Sequence, residues 1–125
     1  MEDPSKPIPA VLIVEDEPLI RMDAASLIED AGFKVYEACS ADQAIRILEL
    51  HDEIRLIFTD VNMPGSMDGL KLAHYVRGRW PPVKIIVTSG KATLRGEELP
   101  AGAVFLGKPY HPEHVRHKVR ELMAA

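Results

Sequence analysis

A chain of 125 residues with 46% hydrophobic and 27% charged content has the size and make-up of one globular domain, which excludes a disordered or collagen-like protein. Fifteen Lys and Arg against 19 Asp and Glu leave a formal net charge of -4, mild and of the wrong sign for bulk nucleic-acid binding. No apolar run approaches the roughly 20 residues of a membrane helix, since AVLIV is cut off by Glu15-Asp16-Glu17.

The opening MEDPSKPIPA is acidic and proline-rich and lacks the basic and apolar regions of a secretion signal. Residues 1–9 are expected to form a loose tail and residues 10–125 one domain. The single Cys39 has no internal disulfide partner, which fits a reducing, cytoplasmic setting.

From there short apolar runs alternate with helical spacing. The runs Ala10–Val14, Phe33–Glu37, Ile54–Thr59, Val83–Thr88 and Ala103–Leu106 predict five strands. In the first gap Ile20, Ala24, Leu27, Ile28 and Ala31 make one helical stripe, with Pro18 suited to its first turn and Gly32 to its end. The second helix opens on Ser40-Ala41-Asp42-Gln43, a capping-box pattern, and buries Ala44, Ile47 and Leu48. Leu70, Ala73 and Val76 mark a third helix, closed by Gly78 and Pro81-Pro82. Gly96 and Pro100 leave room for only a short or frayed helix over Ala92–Leu99. Pro112 starts the last helix, with Val115, Val119 and Leu122 facing inward.

Strand–helix alternation with apolar strands predicts a parallel sheet covered by helices on both faces, a doubly wound α/β fold. In such sheets ligands meet the carboxyl ends of the strands. Those ends carry Glu15 and Asp16 after the first strand, Asp60 after the third, Ser89 after the fourth and Lys108 after the fifth. Any one of them alone reads as a helix cap or a solvated loop residue. Together they are hard to attribute to capping. Three clustered carboxylates repel unless a cation neutralises them, and Mg²⁺ accepts such an all-oxygen set while leaving room for phosphate oxygens. A carboxylate beside Mg²⁺ can act as a nucleophile and form an acyl phosphate, with an ammonium and a hydroxyl holding the phosphoryl oxygens.

The segments LIVEDEP, FTDVNMPGSMDGL, IIVTSG and FLGKPY resemble the receiver domain of bacterial response regulators, the phospho-acceptor half of two-component signalling, over about Val11 to Leu122. The resemblance implies a flavodoxin-like, five-stranded sheet of order 2-1-3-4-5. It implies Asp60 as the phosphorylated residue, and Glu15, Asp16, Asp60 and the backbone carbonyl of Asn62 as ligands of Mg²⁺ (or Mn²⁺). Ser89 matches the family's hydroxyl, Lys108 its phosphate-pairing lysine and Phe105 its switch aromatic. Asn62 and Lys91 match the positions that tune dephosphorylation, and the bond before Pro109 is expected cis.

Implied partners are a histidine kinase or histidine phosphotransfer protein and a downstream protein target. The target would read the surface of the Ala92–Leu99 helix, the fifth strand and the last helix, which could also form a homodimer. The expected activity is that of a signalling domain rather than an enzyme, with no output domain in this chain. Three features depart from the commonest pattern: Gly65-Ser66-Met67 lengthens the loop after Asp60 by one residue, Ser89 to Lys108 is short, and Glu15 stands for an aspartate.

Other readings fare worse. An aspartyl phosphatase needs a second acid two residues after its nucleophile, where this chain has Asn62. A degenerate receiver usually lacks the aspartate or the lysine, and a flavin carrier would want a Ser/Thr/Gly-rich phosphate loop after the first strand. His111, His114 and His117 lie among Arg116, Lys118 and Arg120 and read as a solvated helix face rather than a metal site. Cys39 is expected to serve packing, and Trp80 to cover a loop.

Overall fold

The computed structural model describes residues 8–63, 65, 67–90 and 98–124. Its strands are β1 (Ala10–Val14), β2 (Lys34–Ala38), β3 (Ile54–Asp60), β4 (Lys84–Ser89) and β5 (Val104–Gly107). Its helices, among the described residues, are α1 (Pro18–Asp30), α2 (Ala41–Leu50), α3 (Gly69–Arg79) and α4 (Pro112–Ala124). All pairings are parallel, in the order β2-β1-β3-β4-β5. The predicted short helix falls mainly on residues 91–97, outside the described residues, as does most of the predicted tail.

Strand alternation divides the core in two. Leu12, Val14, Ile57, Ile85 and Val87 face α2 and α3, where Ala44, Leu48, Leu72 and Val76 meet them. Val11, Ile13, Leu56, Phe58 and Ile86 face α1 and α4, against Ala24, Ile28, Val115 and Val119. Every residue of β1 is at most 1% exposed, the burial of a strand covered on both sides.

The helix ends follow their local chemistry. Pro18 opens α1, and at its close Gly32 takes φ +100 while its N–H donates to Glu29 O and that of Phe33 to Ile28 O. Ser40 Oγ accepts from Gln43 N at 3.2 Å, and Gln43 Oε1 reaches back to Cys39 N at 2.7 Å, one residue before the capping box would place it. Asp68 caps α3 by accepting from Lys71 N, and His111 Nδ1 accepts from Glu113 N at the start of α4.

Several expectations need correction. β2 to β5 lie one residue later at one or both ends than the apolar runs suggested. In α3 the buried leucine is Leu72, and Leu70 is half-buried, because both fit a helical period and only the docking of the helix separates them. In α1 the buried set is Ala24, Ala25 and Ile28, while Ile20 is 38% exposed. Cys39 is exposed and does not pack in the core. Trp80 half-covers the turn after α3, with the Tyr75 ring at 6.1 Å and the Arg79 guanidinium at 5.1 Å.

Candidate functional site

Parallel strands bring all their carboxyl ends to one rim, and the register sets the depth of each residue there. Val14 lies beside Thr59, Asp60 beside Thr88 and Ser89 beside Gly107. Glu15 and Asp16 therefore emerge at the level of Asp60, and Lys108 one residue beyond Ser89's partner. Lys108 N–H donates to Ser89 O at 3.0 Å, which carries the ladder past β5.

One ligand oxygen from each of Glu15, Asp16 and Asp60 can be chosen so that all lie within 4.8 Å of one another, a separation a single small cation can span. Glu15 and Asp60 are buried, 4% and 7% exposed, and Asp16 is half-buried. Lys108 Nζ lies 2.8 Å from Glu15 Oε1 and 3.4 Å from Asp60 Oδ1. Asp60 Oδ1 is buried without a hydrogen-bond partner among the described residues. Among the described residues, Lys108 thus pairs with two of the three carboxylates, Glu15 and Asp60.

Burial pushes the Glu15 carboxyl above its usual range, against the opposing hydrogen bond from Lys108. For Lys108 burial works to lower the pKa, but the hydrogen bond to Glu15 and the charges of Asp60 and Glu15 outweigh it and hold the ammonium above its ordinary value. Lys108 is therefore a fixed cation in this rim. The donor set fits a hard divalent cation: it is all oxygen, and among the described residues it exceeds its counter-charge and includes a buried oxygen without a hydrogen-bond partner.

The loop after β3 is shaped by Gly69. A Cβ there would sit 1.7 Å from Asp60 O and 2.9 Å from Val61 Cα, so only glycine lets α3 begin this close to the strand end. Gly69 N–H then donates to Val61 O at 2.9 Å, and Val61 N–H to Thr88 O at 2.9 Å. Together they hold the backbone that carries Asp60.

Asn62 Nδ2 donates to Ser89 Oγ at 3.4 Å, so both side chains stand at the same rim, with Ser89 4% exposed. Phe105, the neighbour of Val87 in register, is half-buried against the α2–α3 side of the core. The Lys108–Pro109 bond is cis. Lys91 lies outside the described residues. His111, just before α4, and His114 and His117 on it are exposed and join no metal cluster among the described residues.

Two neighbours of the rim were given no role by the sequence analysis. Arg21 of α1 donates from Nη1 to Glu15 O at 2.9 Å and from Nε to Glu37 Oε1 at 3.3 Å. Tyr110 meets Phe58 edge-to-face and shares a small cavity of about 10 Å³ with Glu15, Asp60, Thr88 and Lys108. Arg21 is brought to the acids by the packing of α1, which no residue spacing encodes, whereas Tyr110 follows Lys108 by two residues.

Fold and rim define a doubly wound α/β domain with an acidic, lysine-paired cluster at the carboxyl ends of its central strands. The profile of the response regulator receiver domain matches residues 11–120, and the chain belongs to that family. It is 37% identical over 117 residues to the sensor kinase CckA of Brucella abortus, which takes in 90% of this chain and 12% of that one. It is 32% identical over 120 residues to the aerobic respiration control protein ArcA of Escherichia coli, covering 93% of this chain and 49% of the relative. The chain thus spans half or less of these curated relatives' length.

Among solved structures, a response regulator receiver protein from Sinorhizobium medicae superposes with a TM-score of 0.87 at 28% identity, over 94% of this chain and 96% of that one. The receiver domain of the hybrid histidine kinase CckA does so with a TM-score of 0.78 at 31% identity, over 91% and 98%. Receiver domains are signalling domains of two-component systems; they bind Mg²⁺ at an acidic pocket and interact with histidine kinases and downstream effectors. Among the described residues no helix is long and apolar enough to cross a membrane.

Proposed function

We propose that this receiver domain accepts a phosphoryl group on Asp60 from a phosphohistidine of a histidine kinase or histidine phosphotransfer protein. A carboxylate oxygen of Asp60 attacks phosphorus, the P–N bond to the donor imidazole breaks, and the imidazole nitrogen keeps the electron pair and takes up a proton. The product is an acyl phosphate. The observation that carries this reading is the buried Asp60, whose Oδ1 has no hydrogen-bond partner among the described residues and lies 3.4 Å from Lys108 Nζ.

Glu15, Asp16, Asp60 and the backbone carbonyl of Asn62 would hold Mg²⁺ (or Mn²⁺). When bound, the cation supplies neutralisation of the charge on the acids and phosphoryl oxygens. The chain's own residues do the rest. Lys108 pairs with a phosphoryl oxygen, Ser89 donates its hydroxyl to another, and the rigid strand ends hold Asp60 in line with the bond that breaks. Asn62 and Lys91 tune the water that later hydrolyses the acyl phosphate, so the domain limits its own signal.

The signal leaves through Ser89 and Phe105. Phosphorylation places about -1.5 to -2 charges where one carboxylate stood. Ser89 shifts toward a phosphoryl oxygen and Phe105 turns inward beside it, which alters the surface of residues 92–99, β5 and α4. That surface would engage a downstream protein or a second copy of the domain, in the cytoplasm. The aromatic ring has no hydroxyl to satisfy, so its inward state rests on packing alone.

Intact-protein mass spectrometry after incubation with a small acyl-phosphate donor and Mg²⁺ tests the reading. The expected result is the mass of one added phosphoryl group in the parent and none in Asp60→Asn. Labelling of Asp60→Asn to the parent's extent, or labelling unaffected by EDTA, would overturn it.

A further inference from the structure

We infer that Arg21 is a positioning residue for the divalent-cation site, acting through the main chain of Glu15. The proposal rests on the cation reading of the rim given above and extends it to a residue that touches neither cation nor phosphate.

The acidic turn after β1 has few internal supports. Glu15 N–H donates to Ala38 O of β2 at 3.0 Å, and Glu17 N–H donates to Glu15 Oε2 at 3.3 Å. The carbonyl of Glu15 opens the peptide unit leading to Asp16, and its partner is Arg21 Nη1 at 2.9 Å. The same guanidinium places Nε 3.3 Å from Glu37 Oε1, near the end of β2. Arg21 thus ties the first turn of α1 to two neighbouring strands at once. Its side chain is 20% exposed and that of Glu37 is 42%, so the fork is partly shielded while its anchor is open to water.

A guanidinium is suited to this task because its donors are fixed in one plane. Rotation of the Glu15–Asp16 peptide would carry the Asp16 carboxylate out of the 4.8 Å cluster, and the fork opposes that rotation. Groups that orient metal ligands without touching the metal typically change affinity by about 10-fold or more when removed.

Charge alone predicts the opposite sign. Removing a cation from the main chain that leads into the acidic cluster should tighten binding of Mg²⁺, so the direction of the change separates orientation from electrostatics.

The test is a Mg²⁺ titration of the unphosphorylated protein, followed by amide NMR shifts, for the parent, Arg21→Ala, Arg21→Lys and Glu37→Gln. Urea midpoints in EDTA are measured in parallel. Arg21→Ala is expected to bind Mg²⁺ about 10-fold more weakly. Arg21→Lys, which keeps the charge but not the fork, should fall between it and the parent. Glu37→Gln frees one end of the guanidinium on an exposed carboxylate and should weaken binding about threefold with little change in fold stability. It keeps the test alive if Arg21→Ala does not fold. Labelling with an acyl-phosphate donor should recover the parent's rate at saturating Mg²⁺, a loss in cation affinity without a loss in turnover.

Equal or tighter binding by Arg21→Ala, or a lowered urea midpoint with unchanged affinity, overturns the inference. Absence of saturable Mg²⁺ binding in the parent would instead overturn the cation reading itself.

Discussion

The two ends of the sheet treat charge in opposite ways. At the amino end Glu53 accepts from Tyr36 Oη at 3.2 Å and has His51 and Lys34 at 3.7 and 3.9 Å. Tyr36 stacks on His51 with ring centroids 4.3 Å apart, and Lys34 lies over the Tyr36 ring. Each of these four side chains, Lys34, Tyr36, His51 and Glu53, has a partner. At the carboxyl end Glu15 and Asp60 share Lys108, Asp16 stands in the same cluster, and Asp60 Oδ1 has no hydrogen bond among the described residues. The amino end pairs its charges; the carboxyl end stores a deficit of positive charge that a bound cation can relieve.

Two glutamates show the difference in sign. Hydrogen bonding to its own backbone N–H and to Tyr36, with His51 and Lys34 adding to it, holds the Glu53 carboxyl below its usual range. Burial holds that of Glu15 above it. A satisfied carboxylate stabilises the folded chain when charged; an under-compensated one destabilises it.

The largest effect should come from the loop that carries Asp60. Gly69→Ala must displace Asp60 O, 1.7 Å from the new Cβ, and is expected to cost about 3 kcal/mol in urea unfolding and to abolish phosphoryl labelling. A neutral outcome would mean that this close approach is not what fixes the rim.

Next, Asp60→Asn removes one of the competing carboxylates at nearly constant volume. In EDTA it should stabilise the domain by about 1 kcal/mol while eliminating labelling. Mg²⁺ at ten times its dissociation constant should stabilise the parent by about 1.4 kcal/mol and Asp60→Asn by less. Equal stabilisation of the two proteins would place the cation elsewhere.

The pH dependence in EDTA should be smaller and of opposite sign at the two ends. For Glu15 the folded state keeps its proton longer than the unfolded one, so the parent loses stability as pH rises above about 4.5 through the raised folded value. Glu15→Gln should escape that loss. For Glu53 the folded pKa is the lower one, so its contribution is present above about 4.5 and disappears as pH falls through the folded value. Glu53→Gln and the parent should therefore converge in acid. Urea midpoints across this range check both slopes.

The smallest effect is expected at the amino end: Glu53→Gln should leave Mg²⁺ affinity and the extent of labelling unchanged. A change in either would couple the two ends and break the contrast.

Much of this was legible in residue order. The run Ala10–Val14 gave β1 to the residue, and Gly32 and Ser40 marked helix ends that the backbone confirms. The acids, Ser89 and Lys108 could be assigned to one rim because parallel strands must end on one side. What the one-dimensional pattern missed, it missed for a physical reason. Asp60 and Ser89 are polar, yet they continue their strands because Thr88 and Gly107 stand beside them in register. Apolar spacing locates a strand; the neighbouring strand decides where it stops.

Likewise, Leu70 and Leu72 fit a helical stripe equally well until α3 docks on β3 and β4 and buries Leu72. Arg21 and Glu37 are separated by most of α1 and the connection into β2, and no local rule relates them. Side-chain chemistry and strand polarity, both written in the sequence, determine that acids and a lysine meet at one rim. The packing of α1 against the ends of β1 and β2 alone decided which arginine holds them there, because a contact across a crossover depends on register and tilt rather than on spacing along the chain.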